Sequence, residues 1–103
     1  MSLKILKKAI ELQQNISFDY NNEGERTGNP HAVYNHINKN RTKSVKVDIE
    51  QTSGFSSEQK PFSSFRQFDL DKISNVKLED DEFNVSGKYN SKSSRYNDAI
   101  IKL

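Results

Sequence analysis

The sequence has no cysteine and no tryptophan, only two histidines and two prolines in 103 residues, and no long apolar run. Without cysteine there is no disulfide, no thiolate metal site and no thiol nucleophile. His31 and His36 are too few for a convincing zinc site unaided by cysteine. A helical membrane span needs about 20 consecutive apolar residues, and none are present. The N-terminal stretch MSLKILKKAI interrupts its apolar residues with lysine, unlike the unbroken core of a signal peptide. A cytoplasmic protein is expected. No nucleophile elbow, phosphate-binding loop or metal-ligand spacing occurs. A non-enzyme that needs no cofactor is therefore expected.

What remains is a polar chain able to fold. Mean hydropathy is -0.92 and the net charge is only +2, so self-repulsion does not oppose collapse. Leu, Ile, Val and Phe supply 25 of the 103 residues. That share exceeds the roughly 20% below which disorder becomes the expectation. The length suits one domain over residues 1–103, with one modest core.

Ser2 is placed to cap a helix over about residues 3–13. Leu3, Leu6, Ile10 and Gln13, with Ala9, fall on one face, and Lys4, Lys7, Lys8 and Glu11 on the other. So short a helix must dock its apolar stripe on something. Ile16 to Tyr20 alternates as a half-buried strand, and Asn21 to Gly24 is a turn. Arg26 to Tyr34 is extended, with a bend or bulge expected at Gly28 and Pro30. Asn38 to Arg41 is a second turn. Val45, Val47 and Ile49 alternate with Lys46, Asp48 and Glu50 in the cleanest strand.

Gln51 to Ser64 is expected as a Ser- and Gly-rich loop and Phe65 to Leu70 as a strand. One helical turn follows at Asp71–Ser74, then a short strand at Asn75–Leu78. Glu79 to Glu82 is expected as a solvated acidic run. In the tail, residues 79–103, Tyr89 and Tyr96 are candidate anchors, and Ala99–Leu103 is a terminal strand or helical turn. The core is expected to combine Phe18, Val47, Ile49, Phe68, Leu70 and Ile73, capped by Leu6 and Ile10.

Several of these segments, in this order, resemble a WYL domain. They are the helix ending in Ala9-Ile10, the strand Ser17-Phe18-Asp19-Tyr20, and the Pro-bearing segment Glu25 to Tyr34. The closing signature is Arg66-Gln67-Phe68-Asp69-Leu70-Asp71-Lys72-Ile73, with Lys72 where Arg is usual. The Trp-Tyr-Leu triplet that names the family is replaced by Val45-Lys46-Val47, and a module without the family's upstream helix-turn-helix is expected. The resemblance implies a mainly β fold: a small, bent Sm-like or SH3-like barrel of about five strands over residues 16–78, with the N-terminal helix against it. An open antiparallel sheet with a helix on one face is the competing architecture.

The resemblance also implies a regulatory or sensory module that recognises an anionic ligand, such as a nucleotide or single-stranded nucleic acid. The alternative is a structural protein–protein interaction module or dimerisation subunit without a small ligand. Partners consistent with these readings are the nucleic acid itself, a separate DNA-binding protein, or a second copy in a homodimer.

The candidate ligand-binding residues each have a competing role. Arg66 matches the family's basic contact, and its planar fork suits phosphate or carboxylate. It is equally suited to pairing with Asp48, Asp69 or Asp71. Phe65 beside it is placed to stack on a base. Lys72 matches a second basic position, or is a surface lysine or helix-end charge. Arg26 is placed to face Arg66 across the barrel, or to pair with Glu23 or Glu25. His31 is a ligand or base if something orients it, and otherwise a packed or surface histidine. Gln51 and Ser53, with Gly54, form an anion-binding nest or an ordinary strand-end turn. Lys39, Arg41, Lys43 and Lys46 surround one turn and suit phosphates. No aromatic is interleaved there for base stacking, and a solvated hairpin tip competes.

Overall fold

The computed structural model describes residues 2–55 and 63–103. The helical spacing of the first residues produces α1 (Ser2–Leu12), whose buried face is Leu6, Ala9 and Ile10. Its Ser2 hydroxyl donates to the Ile73 carbonyl at 3.2 Å, so it ties the helix to the sheet instead of capping it. Gln13, with φ of 51°, turns the chain out of the helix.

Among the described residues six strands follow: β1 (Gln14–Tyr20), β2 (Glu25–Ile37), β3 (Lys43–Gly54), β4 (Ser64–Asp69), β5 (Ile73–Glu82) and β6 (Ala99–Lys102). The 3₁₀ turn Leu70–Lys72 joins β4 to β5, and a second, Ser94–Tyr96, precedes β6. All ladders are antiparallel, in the order β4-β3-β2-β1-β5, with β6 added on β2.

The long strand β2 explains this arrangement. Its first part pairs with β1 as far as Ile16 opposite Gly28, and its later part pairs with β6 from Ala32 to Tyr34. The pairing with β3 shifts between Thr27 and Gly28 and again between Pro30 and Ala32, so His31 is the extra residue of a bulge. Pro30 falls where one neighbour has ended and the next has not begun, a place where a missing N–H is tolerated. A side chain at Gly28 would approach Ile49 Cγ2 to 2.6 Å and the Glu50 carbonyl to 2.8 Å, so glycine lets β2 and β3 close up at the bend.

Several sequence expectations are corrected. β2 carries the bulge expected near Gly28 and Pro30, but runs beyond Tyr34, to Ile37. Gln51 to Gly54 extends β3 and is not loop, while residues 56–62 of the expected loop lie outside the described residues. The strand expected to stop at Leu78 continues as β5 through Glu82, with Asp80, Asp81 and Glu82 exposed as expected. Among the described residues no ladder joins β4 to β5, so the sheet is open. Side chains nonetheless bring β1 and β4 together. The Tyr20 and Phe68 rings meet edge to face at 4.8 Å, and the Tyr20 hydroxyl accepts the Asp69 N–H at 3.0 Å.

The inner face of the bent sheet holds Ile16, Phe18, Val33, Val47, Ile49, Phe68, Ile73 and Val76, sealed by Leu6, Ala9 and Ile10 of α1. Leu70 packs against this core half-buried. The outer face of β2 and β3 is covered too. Tyr96 buries itself against Ala32 and Tyr34, with Tyr89 and Ala99 at the margin. No described helix is long and apolar enough to cross a membrane.

Candidate functional site

Strand register separates the predicted site residues onto two faces. Ile49 pairs with Arg66 and Gln51 with Ser64, whereas Glu50 pairs with Phe65 and Asp48 with Gln67. Alternation therefore puts Arg66 on the inner side with Phe68, and Phe65 on the outer side. Phe65 packs against His31 at 5.1 Å, with Tyr89 at 6.2 Å. It does not flank the face that Arg66 shares, which corrects the expected Phe65–Arg66 pairing.

Arg26 lies opposite Phe18, also on the inner side. Its guanidinium sits 5.2 Å from the Tyr20 ring centre, 5.4 Å from Phe68 and 5.5 Å from Phe55. It donates to Gln51 Oε1 at 3.3 Å and lies 3.7 Å from Glu23. Arg26 is buried and Glu23 is partly exposed, as the pairing with Glu23 would have it. A guanidinium stays charged at any accessible pH, and aromatic faces favour a cation that has left water. The charge is thus held in a weakly screening box whose outer wall, Phe55, is 38% exposed.

The fully buried Gln51 is spent on the fold. Its amide nitrogen donates to the Ser53 carbonyl at 3.2 Å and the Phe55 carbonyl at 2.7 Å. Ser53 is exposed. Gly54, with φ of 98°, lies so close to β2 that a side chain would sit 2.4 Å from the Glu25 carbonyl oxygen. Arg66 is half-buried and donates through Nε to Ser64 Oγ at 2.9 Å. Lys72 is exposed and lies 3.6 Å from Asp69, which also accepts from Lys46. The Lys46 hydrogen bond holds the Asp69 carboxyl below its ordinary range. The backbone N–H of Asn21 bonds the Lys72 carbonyl at 2.9 Å, which sets Lys72 beside the β1–β2 turn.

His31 has both ring nitrogens engaged. Nε2 accepts the Ser86 N–H at 2.9 Å, so Nδ1 carries the proton and donates to the Asn29 carbonyl at 2.8 Å. Burial drives its pKa below the usual value, against the pull of the Asn29 carbonyl and of Glu50 and Asp48. The ring is packed among Phe65, Phe83 and Tyr89, and its own carbonyl accepts the Leu103 N–H. It is a neutral fastening for the C-terminal segment, with no nitrogen left for a ligand.

The centre of the outer face is a residue that strand alternation assigns to solvent. Asp48 is 1% exposed and accepts from the Tyr34 hydroxyl at 2.9 Å and the Tyr96 hydroxyl at 2.6 Å. Arg95 lies 3.7 Å away, and Gln67 donates to the Tyr34 hydroxyl at 2.6 Å. Burial pushes the Tyr34 hydroxyl up to about 12 and raises Tyr96 as well, with Asp48 adding to both. The tail tyrosines were the available signal, as anchors without a visible partner. Among the described residues no group of His, Asp and Glu is arranged to hold a metal.

Arg26, Arg66 and Phe55 thus share one side of the sheet, with Lys72 at the adjoining turn, while His31 and Phe65 belong to the other. Compared with protein-family models, curated proteins and solved structures, the chain matches none.

Proposed function

We propose that this chain is a WYL-like ligand-binding module, with a barrel-like sheet that recognises an anionic ligand, a nucleotide or single-stranded nucleic acid, at the end of the sheet bearing Arg66, Lys72 and Phe55. The observation carrying the reading is the buried Arg26 charge inside the Tyr20–Phe55–Phe68 box. A fixed charge in a low-dielectric wall projects a stronger field than one in water. The half-exposed Arg66 fork supplies the directional contact, Lys72 adds a second cation, and exposed Phe55 takes the stacking role that Phe65 cannot. Arg26 is the electrostatic floor of this site and is not expected to touch the ligand.

A second reading has its own support. Gln51 and His31 spend their polar groups on internal hydrogen bonds, as a structural interaction module without a small ligand would. Titration of nucleoside triphosphates and short single strands at two salt concentrations separates the two. The ligand-binding reading expects affinity that falls as salt rises and a loss of at least about tenfold in Arg66→Ala, since charge-assisted hydrogen bonds are worth about 1.5–3 kcal/mol. No binding at low salt, or binding indifferent to Arg66→Ala in a folded variant, leaves the interaction module.

A further inference from the structure

The connection between β2 and β3 combines a one-sided charge with an unusually well-fastened backbone. From Tyr34 to Val47 there is no acidic residue, and there are four cations, Lys39, Arg41, Lys43 and Lys46. The whole chain carries only +2, so everything outside this segment is net negative. Lys46 is committed to Asp69. Lys39, Arg41 and Lys43 are exposed and carry no ion pair among the described residues.

None of these three side chains is needed to build the turn. The Asn38 N–H bonds the Thr42 carbonyl at 2.8 Å, and the Arg41 N–H bonds the Asn38 carbonyl at 2.9 Å. Asn38 Nδ2 donates to Thr42 Oγ1 at 3.0 Å, and Thr42 Oγ1 donates to Asn40 Oδ1 at 2.6 Å. The Thr42 N–H bonds Asn40 Oδ1 at 3.2 Å, and Ser44 Oγ bonds Asn38 Oδ1 at 3.3 Å. Arg41 is held at φ of 66°, a conformation a non-glycine residue adopts only under local constraint. Such a frame presents cations with little backbone ordering left to lose on binding.

We propose that this hairpin tip is a docking surface for the phosphate backbone of duplex nucleic acid. Three exposed cations on a two-stranded ribbon suit phosphates, and a two-stranded ribbon is narrow enough for the major groove. The tip carries no aromatic residue, so it offers a single strand nothing to stack on. That favours a duplex, where backbone contacts alone suffice. The acidic run Glu79–Glu82 lies on β5, which is not a neighbour of the β2–β3 turn in the sheet. Its repulsion from phosphate helps to orient the molecule tip-first. The proposal rests on Lys39, Arg41 and Lys43, none of which belongs to the site proposed around Arg66, and does not depend on that reading.

The test is fluorescence anisotropy of a labelled mixed-sequence duplex of about 20 base pairs, the matching single strand, anionic lipid vesicles and a poly-glutamate peptide, each with the full chain. Three phosphate contacts at about -0.9 each give a log–log salt slope of about -2.7 for the duplex, or roughly 40-fold weaker binding from about 50 to 200 mM salt. The triple variant Lys39→Gln, Arg41→Asn, Lys43→Gln is expected to lose duplex binding and keep its melting temperature. Asparagine is chosen at 41 because it tolerates the left-handed backbone. Absence of duplex binding at low salt overturns the proposal, as does binding that survives the triple variant. Binding lost in Arg66→Ala but not in the triple variant assigns the nucleic acid to the other face. A triple-sensitive preference for vesicles or for poly-glutamate replaces the duplex with that partner.

Discussion

Replacing Asp48 by alanine tests whether the outer face is a second structural centre. Asp48 is 1% exposed and is the acceptor for two tyrosine hydroxyls. Asp48→Ala leaves the Tyr34 and Tyr96 protons without that acceptor in a buried setting. An unsatisfied buried hydrogen-bonding group costs about 1–3 kcal/mol, so the two together cost about 2–6 kcal/mol. Arg95, 43% exposed, recovers water and adds little. Against a total stability on the order of 5–15 kcal/mol, the loss is large. At about 4–8 °C per kcal/mol for a domain of this size, the melting temperature should fall by at least about 8 °C.

Asp48→Asn keeps the shape and one carbonyl acceptor, and should cost about half as much. Tyr96→Phe should cost about 1 kcal/mol. The cycle combining it with Asp48→Asn should show coupling, because the two groups share a hydrogen bond. Urea unfolding followed by far-ultraviolet circular dichroism supplies the free energies. An Asp48→Ala cost below about 0.5 kcal/mol, the level of an ordinary surface substitution, would refute the reasoning.

Two further predictions concern stability. His31 is buried neutral with a lowered pKa, so the unfolded chain takes up its proton first as pH falls below 6.5. Stability should hold above that pH and decline below it, by at most about 1.4 kcal/mol per pH unit for one proton. Urea midpoints measured from about pH 7.5 to 5 should show this limb, and His31→Gln should flatten it. A wild-type curve level through that window would exclude the neutral fastening. Phe68→Ala removes a ring that is 3% exposed and meets Phe18 at 5.4 Å and Tyr20 at 4.8 Å. It should cost about 3–5 kcal/mol in the same assay, and a loss under about 1 kcal/mol would contradict the central placement of that ring.

The elements and the inner core were legible because they follow from local periodicity. The 3.6-residue spacing of Leu3, Leu6 and Ile10 leaves α1 one apolar face. The two-residue alternation of Val45, Val47 and Ile49 gives β3 an inner side whatever its neighbours. The breaks at Asn21–Gly24 and Asn38–Arg41 have local causes in turn chemistry, and they were equally readable. The same alternation also implies that Arg66 and Phe65 point opposite ways, although sequence proximity suggested that they act together.

What tertiary structure decided is the fate of each strand's other side. Alternation says that Asp48 and Val47 face apart, but not whether a later segment will cover the Asp48 side. That depends on where residues 83–103 return, a contact 48 residues away in the case of Tyr96 and Asp48. Long-range return also turned His31 from a candidate base into a bonded bulge residue, because its acceptor nitrogen meets the Ser86 N–H, 55 residues on. Arg26 was readable as a cation near a turn. Its enclosure by Tyr20, Phe55 and Phe68 required the sheet to bend until β1 and β4 met. Local sequence sets which residues share a side of a strand; burial and charge partners depend on which distant segments close over that side.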